Sequence, residues 1–201
     1  MGTDAATEAT DLDELRRAAG HCTACDLYRH ATRTVFGEGP SDAQLMLIGE
    51  QPGDREDEEG RPFVGPAGRL LDRALEQAGI RRADVYLTNV VKHFAFEQRG
   101  ARRIHRAPRA AEIRACRPWL DAELRVVRPD VLGLLGATAA QALLGRSFRI
   151  TEHRGEVLEW EGYELVPTVH PSAVLRTPRE QRHEAFDALV RDLTVLAGRV
   201  R

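Results

Sequence analysis

The segment from Gly49 to Gly68, GEQPGDREDEEGRPFVGPAG, gathers residue types that a plain connection does not need. It holds five glycines, three prolines, Phe63 and five carboxylates between Asp54 and Glu59. Glycine lets backbone N–H groups approach a ligand closely, and the start of a following helix adds a positive dipole end. The acidic run alone would read as a solvated surface loop. The glycine density, directly after a buried apolar run, makes a ligand site the better reading.

A second group has metal chemistry. Cys22 and Cys25 form a Cys-x-x-Cys pair, and Cys116 is the only other cysteine. Without a secretory context such a pair favours a metal or redox site over a disulfide. No strand precedes Cys22, as a redox motif would require. Three thiolates want a fourth ligand, and His93 is a candidate. Cys116 could equally be a small buried hydrophobe. The residue types leave zinc and an iron–sulfur cluster both open.

A third group is basic. Lys92 is the only lysine, and five arginines without an acid lie between Arg99 and Arg109, whereas the chain as a whole carries a net charge of −2. A local basic patch attracts phosphates at short range even on a neutral chain. Gly100, Pro108 and the lack of apolar periodicity argue against a simple solvated helix face.

The elements that must position these groups follow from periodicity. At 201 residues, 42% hydrophobic and 30% charged, the chain suits one domain with its own core. Residues 1–10 are expected to fray, leaving a single domain over 11–201. Strands are expected at about 44–48, 85–91, 131–135, 155–160 and 163–169. Helices are expected at 11–19 (capped by Thr10), 66–78, 110–127, 138–144 and 179–198, with an irregular segment over 93–108. Strands alternating with helices predict an α/β fold with a mainly parallel central sheet flanked by helices. Loops at the carboxyl ends of such strands are where these sheets bind ligands. No apolar stretch approaches membrane-spanning length and the N-terminus is acidic, so a cytoplasmic protein is expected.

Taken in order, several motifs resemble the uracil-DNA glycosylase superfamily, and its iron–sulfur family-four branch in particular. They are Cys22-x-x-Cys25, Gly49-Glu50-Gln51-Pro52-Gly53, Gly60-x-Pro62-Phe63-Val64-Gly65, Thr88-Asn89-Val90-Val91-Lys92, Cys116 and His170-Pro171-Ser172-Ala173-Val174-Leu175-Arg176. They span about residues 20–195. Two features depart from family four: His93 stands where a cysteine is usual, and Gln98 to His105 form an arginine-rich insert. Both resemble the UdgX subgroup, in which the loop histidine captures the sugar covalently after uracil leaves.

The resemblance implies a uracil-DNA glycosylase fold with a metal-cluster subregion, and a 4Fe-4S cluster on Cys22, Cys25, His93 and Cys116, with zinc as the alternative. The partner it implies is uracil-containing DNA, single-stranded by preference, bound by a monomer. Flipping the nucleotide out of the stack would bring uracil onto Phe63. Asn89 would read its edge, because an amide donates and accepts at once. His170 would donate to a uracil carbonyl as charge builds, and backbone N–H groups from Gln51 through Gly53 to Asp54 would serve the other carbonyl. Ser172 and Arg176, with the loop arginines Arg102, Arg103 and Arg106, would hold the DNA backbone. His105 would be the nucleophile, oriented by Glu50, giving a stable adduct and a single turnover. The alternatives are a multiple-turnover hydrolytic glycosylase, in which Glu50 polarises water, and a non-enzymatic iron–sulfur DNA-binding protein.

Overall fold

Leu45 to Ile48 is buried at every position because helices cover both faces of its strand. In this computed structural model, which describes Ala6 and residues 9–200, the elements in chain order are as follows. The first half runs α1 (Leu12–Ala19), β1 (Leu45–Gly49), α2 (Asp54–Glu59), α3 (Pro66–Gln77), β2 (Val85–Asn89), β3 (Phe96–Arg99) and β4 (Arg102–His105). The second runs α4 (Ala110–Val127), β5 (Val131–Leu135), α5 (Ala137–Leu144), α6 (Ile150–His153), β6 (Leu158–Trp160), β7 (Tyr163–Thr168), α7 (Pro171–Arg176) and α8 (Arg182–Ala197).

Five strands form one sheet in the order β2-β1-β5-β7-β6, parallel except for β6, which pairs antiparallel with β7. Alternation within each strand divides the core. Met46, Ile48, Tyr86, Leu132 and Leu134 face Leu15, Trp119, Leu120 and Ala140 of α1, α4 and α5. Leu45, Leu47, Val85, Leu87, Val131 and Leu135 face Leu71, Leu75, Leu193 and Leu196 of α3 and α8. Burying each such side chain stabilises the fold by about 1.5–3 kcal/mol, so the strand ends are firm supports for the loops that leave them.

The topology chooses where those loops meet. After β1 the chain moves outward to β2, then crosses back to β5 on the other side of β1. The space between the carboxyl ends of β1 and β5 is therefore the switch point of the sheet, where open α/β sheets bind ligands. Gly49 pairs in register with Asn89, Ile48 with Leu134, and Leu135 with Thr168. Glu50, the residues after Asn89, Thr138 and His170 thus all leave the same edge.

The expected strands and long helices agree with these bounds to within a few residues. Two segments differ. Residues 93–108 are not irregular: β3 and β4 form an antiparallel hairpin with Gly100 at φ +59° in a two-residue turn. Glycine at the first central position suits the type II′ geometry that follows strand twist. The acidic run is also ordered, as α2. Its Glu56 carboxylate accepts from the N–H groups of Gly53 (3.1 Å) and Gly65 (2.8 Å), which closes the glycine-rich loop on itself. At the N-terminus Asp11, not Thr10, caps α1 by accepting from Glu14 N–H. Most of the segment expected to fray lies outside the described residues. Of those described, Ala6 and Ala9 are buried and their carbonyls accept from Arg125.

Candidate active site

A cavity of about 460 Å³ opens at the switch point, lined among others by Glu50, Gln51, His105, Thr138, His170, Ser172 and Arg176. Five separate segments contribute, and the fold brings together most of the chemistry expected from the sequence. A larger cavity, about 570 Å³, lies at the opposite ends of β1 and β2, where its ionisable lining residues are Asp42 and the mutually paired Arg81 and Asp84. It lacks convergent reactive groups.

Glu50 leaves the end of β1 with both oxygens engaged. Oε1 lies 3.3 Å from His105 Nε2, and Oε2 accepts a 2.5 Å hydrogen bond from the Thr138 hydroxyl. Burial alone would raise its carboxyl, but the hydrogen bonds from His105 and Thr138 and the nearby His105 and His170 outweigh it and hold the group below the usual carboxylate range. An ionised Glu50 can only accept, so Nε2 of His105 is the donor, and in the neutral form of the ring the lone pair lies on the other nitrogen. His105 itself is half exposed and sits at the end of β4, with its ring 6.2 Å from that of Phe94.

His170 is fixed differently. Its Nδ1 accepts from Ser172 N–H at 3.1 Å and lies 2.8 Å from the Ser172 hydroxyl, to which Arg176 Nη1 donates at 3.1 Å. An Nδ1 that accepts is unprotonated, so the proton is on Nε2. Burial pushes the imidazole down to about 4; Glu50 opposes that shift, and Arg176 and His105 add to it. His170 is therefore a neutral donor of fixed tautomer near neutral pH. Ser172 and Arg176 act on this ring, a linkage the sequence reading did not foresee.

Phe63 and Asn89 stand beside the cavity at Gly49. The Phe63 ring, held at φ +56°, stacks 6.3 Å from that of His170. A Cβ on Gly49 would lie 2.4 Å from Asn89 Oδ1 and 2.8 Å from Phe63 Cζ, so glycine is required for both to approach. Asn89 Oδ1 is buried without a hydrogen-bond partner. An unsatisfied buried acceptor costs about 1–3 kcal/mol, which a ligand donating to it would recover.

Several expected contacts are already committed within the protein. The Gln51 side chain bridges Ala95 and Arg106, accepting from Ala95 N–H and donating to both carbonyls. Gly53 N–H goes to Glu56, and Pro52 has none, which leaves the backbone N–H groups of Gln51 and Asp54 as candidate donors. Asp54 pairs with Arg103 at 2.6 Å. Arg103 also binds Asp57 and lies over the rings of Phe94 and Phe96, while Arg106 forms a bidentate pair with Glu112. The physical reason is local: Asp57 and Glu112 are buried carboxylates that need cations. These two arginines fasten the hairpin, whereas Arg102 is exposed on its outer face. Thr138 was not among the expected site residues, because a threonine at a helix start reads as a capping residue.

Cys22, Cys25, His93 and Cys116 converge on one small cavity closed by Trp119. Trp119 Nε1–H donates to Cys22 Sγ at 3.2 Å, and Lys92 N–H donates to Cys116 Sγ at 3.2 Å. Such donors favour thiolates and recur around metal-bound sulfur. Burial pushes the Cys116 thiol up to about 12, against the lowering effect of Lys92, so it binds metal only by giving up its proton. His93 Nε2 meets the Thr34 hydroxyl at 2.9 Å. Among the described residues no three such side chains are close enough to hold a single ion. The donor set around this cavity, three cysteines and a histidine, is one that both zinc and an iron–sulfur cluster accept.

Comparison with known proteins agrees with this geometry. Residues 36–194 match the family model described as the uracil DNA glycosylase superfamily. The Type-4 uracil-DNA glycosylase of Thermotoga maritima is 43% identical over 77% of this chain and 78% of its own length. The Type-4 enzyme of Pyrobaculum aerophilum is 39% identical over 84% and 86%. That of Archaeoglobus fulgidus is 34% identical over 94% of each. With the switch-point cavity and the motifs in order along one mainly parallel sheet, the chain belongs to the uracil-DNA glycosylase superfamily.

Proposed function

We propose that this chain excises uracil from DNA and then captures the deoxyribose through His105 as a stable covalent adduct. The observation that carries the capture step is the pairing of His105 with Glu50 across one cavity that His170 also faces. The relatives named Type-4 uracil-DNA glycosylase support the excision step.

The flipped uracil stacks on Phe63 and donates its ring N–H to Asn89 Oδ1, the acceptor that otherwise has no partner. Cytosine presents no donor there. As the C1′–N1 bond breaks, the electron pair leaves with uracil, and the neutral His170 donates Nε2–H to the carbonyl where charge accumulates. The sugar becomes electrophilic at C1′. The unprotonated nitrogen of His105 supplies its lone pair to C1′, and the imidazolium so formed keeps its proton on the nitrogen facing Glu50. Departing uracil takes a proton from solvent.

Single-stranded DNA is the preferred partner, since an unpaired base costs less to extrude. Cys22, Cys25, His93 and Cys116 would hold a 4Fe-4S cluster. When bound, the cluster supplies a structural tie between the N-terminal segment, the end of β2 and α4, remote from the sugar.

The test uses uracil-containing single-stranded DNA. Wild-type protein should give an adduct that survives SDS and heat, with about one uracil released per molecule. His105→Ser should release uracil without the adduct. An equal yield of adduct from His105→Ser would overturn the nucleophile assignment. The second reading, multiple-turnover hydrolysis with Glu50 orienting water, is favoured by the Type-4 relatives' names and predicts many uracils released per molecule with no adduct.

A further inference from the structure

Thr138 is the one polar side chain in the cavity that no expected motif contained. It sits in the first turn of α5, directly across the switch point from Glu50. Gly136 makes this possible: at φ +96° it turns the chain sharply out of β5, and a Cβ there would lie 3.0 Å from that of His170. Its N–H also bonds Thr168 O at 2.8 Å, tying the start of α5 to the end of β7. The hydroxyl of Thr138 therefore comes from a well-anchored backbone.

That hydroxyl has a single proton, and its hydrogen bond to Glu50 Oε2 consumes it. Glu50 can rotate about its side-chain torsions unless one oxygen is held. With Oε2 held, Oε1 is left facing His105 Nε2. We propose that Thr138 is a positioning residue that locks Glu50 in the orientation needed to align the His105 ring, an inference that rests on the capture reading above. It touches neither the base nor the sugar; it acts through Glu50. The groups facing Glu50 are His105 from β4, Thr138 from α5 and His170 from the loop before α7, with Arg176 behind His170. Removing the Thr138 donor leaves a less stabilised carboxylate, so the pH below which Glu50 is protonated rises.

The experiment compares wild type, Thr138→Val and Thr138→Ser in single-turnover reactions on uracil-containing single-stranded DNA, following uracil release and adduct formation from pH 4.5 to 8. Valine keeps the shape and removes the hydroxyl; serine keeps the hydroxyl. Thr138→Val should capture about tenfold more slowly, with its acid limb moved to higher pH, and Thr138→Ser should restore both. Wild-type capture by Thr138→Val with an unmoved limb would overturn the proposal. So would equal loss in Thr138→Ser, which would mean that the methyl group matters and the hydroxyl does not. If wild type releases uracil without any adduct, the capture reading falls by itself. The acid limb of uracil release then decides the role of Thr138, with a higher limb in Thr138→Val alone supporting it and coincident limbs refuting it.

Discussion

Arg103 reaches from β4 to α2 and sets its Nη1 2.5 Å from the carboxylate of Asp57, whose side chain is wholly buried. Asp57 also accepts from the backbone N–H groups of Thr32 and Arg33, so one carboxylate joins the N-terminal segment, the glycine-rich loop and the hairpin. Arg103 and His105 share a face of that hairpin. Arg103→Met should therefore loosen His105 as well as strand Asp57, costing about 2–4 kcal/mol in chemical denaturation. Adduct formation should fall much more than uracil release. Equal losses in both would mean that the clamp serves general stability alone.

Most of the fold was legible because β1 and β5 are apolar throughout and β2 opens on the apolar run Val85-Tyr86-Leu87, which only a sheet covered on both faces can bury. The hairpin was not. Phe96 to His105 carries no alternating apolar pattern, because it is held by Arg103 and by the Gln51 amide rather than by a hydrophobic face. The motifs pointed to Glu50, His105 and His170 as a set, and the cavity unites them. Their partners Thr138 and Ser172, and the inward turn of Arg103 and Arg106, depend on contacts between distant segments. Residue type alone suggests a cap in one case and a phosphate contact in the other.

Asn89 offers a test that separates function from folding. Its Oδ1 has no partner to lose, so Asn89→Ala should change stability by about 1 kcal/mol or less. Uracil excision should nevertheless fall roughly 10²-fold, since the lost contact is made to the base. Gly49→Ala should be as damaging by another route, driving a methyl into Asn89 Oδ1 and the Phe63 ring. Single-turnover excision and thermal melts measure both effects. A large stability loss in Asn89→Ala would instead mark it as a structural residue.

His170 predicts a pH dependence of folding with a definite sign. Its imidazole lies at about 4 in the folded protein, lowered chiefly by burial, against about 6.5 in the unfolded chain. Between those values the unfolded state binds more protons, so stability is full above about pH 6.5 and declines as pH falls towards 4. The loss should be about 2 kcal/mol, less than the whole shift implies because the ring faces an open cavity. Denaturation midpoints at pH 7, 6 and 5 should follow this slope in wild type and flatten in His170→Asn. An equal slope in that variant would assign the effect to another group.

The cysteine cavity makes the last prediction, on the identity and role of the metal proposed for it. Cys22, Cys25 and Cys116 are free thiols around one small space, and the N–H groups of Trp119 and Lys92 point at two of the sulfurs. The Lys92 amide follows β2, which ends in Asn89, and the Lys92 ammonium donates to the Asn89 carbonyl at 2.7 Å. Loss of the metal should thus be felt first as loss of the tie between the N-terminal segment and α4, and only weakly at the base pocket. Protein purified without oxygen should be brown and contain iron and sulfide. Metal removal, or Cys25→Ser, should bleach it and lower the melting temperature by about 10 °C. Uracil release well below the melting temperature should stay within about threefold of wild type, because structural ties act through the folded population. Colourless protein with one zinc per chain would overturn the cluster assignment, and complete loss of excision in a still-folded apo protein would overturn the structural role.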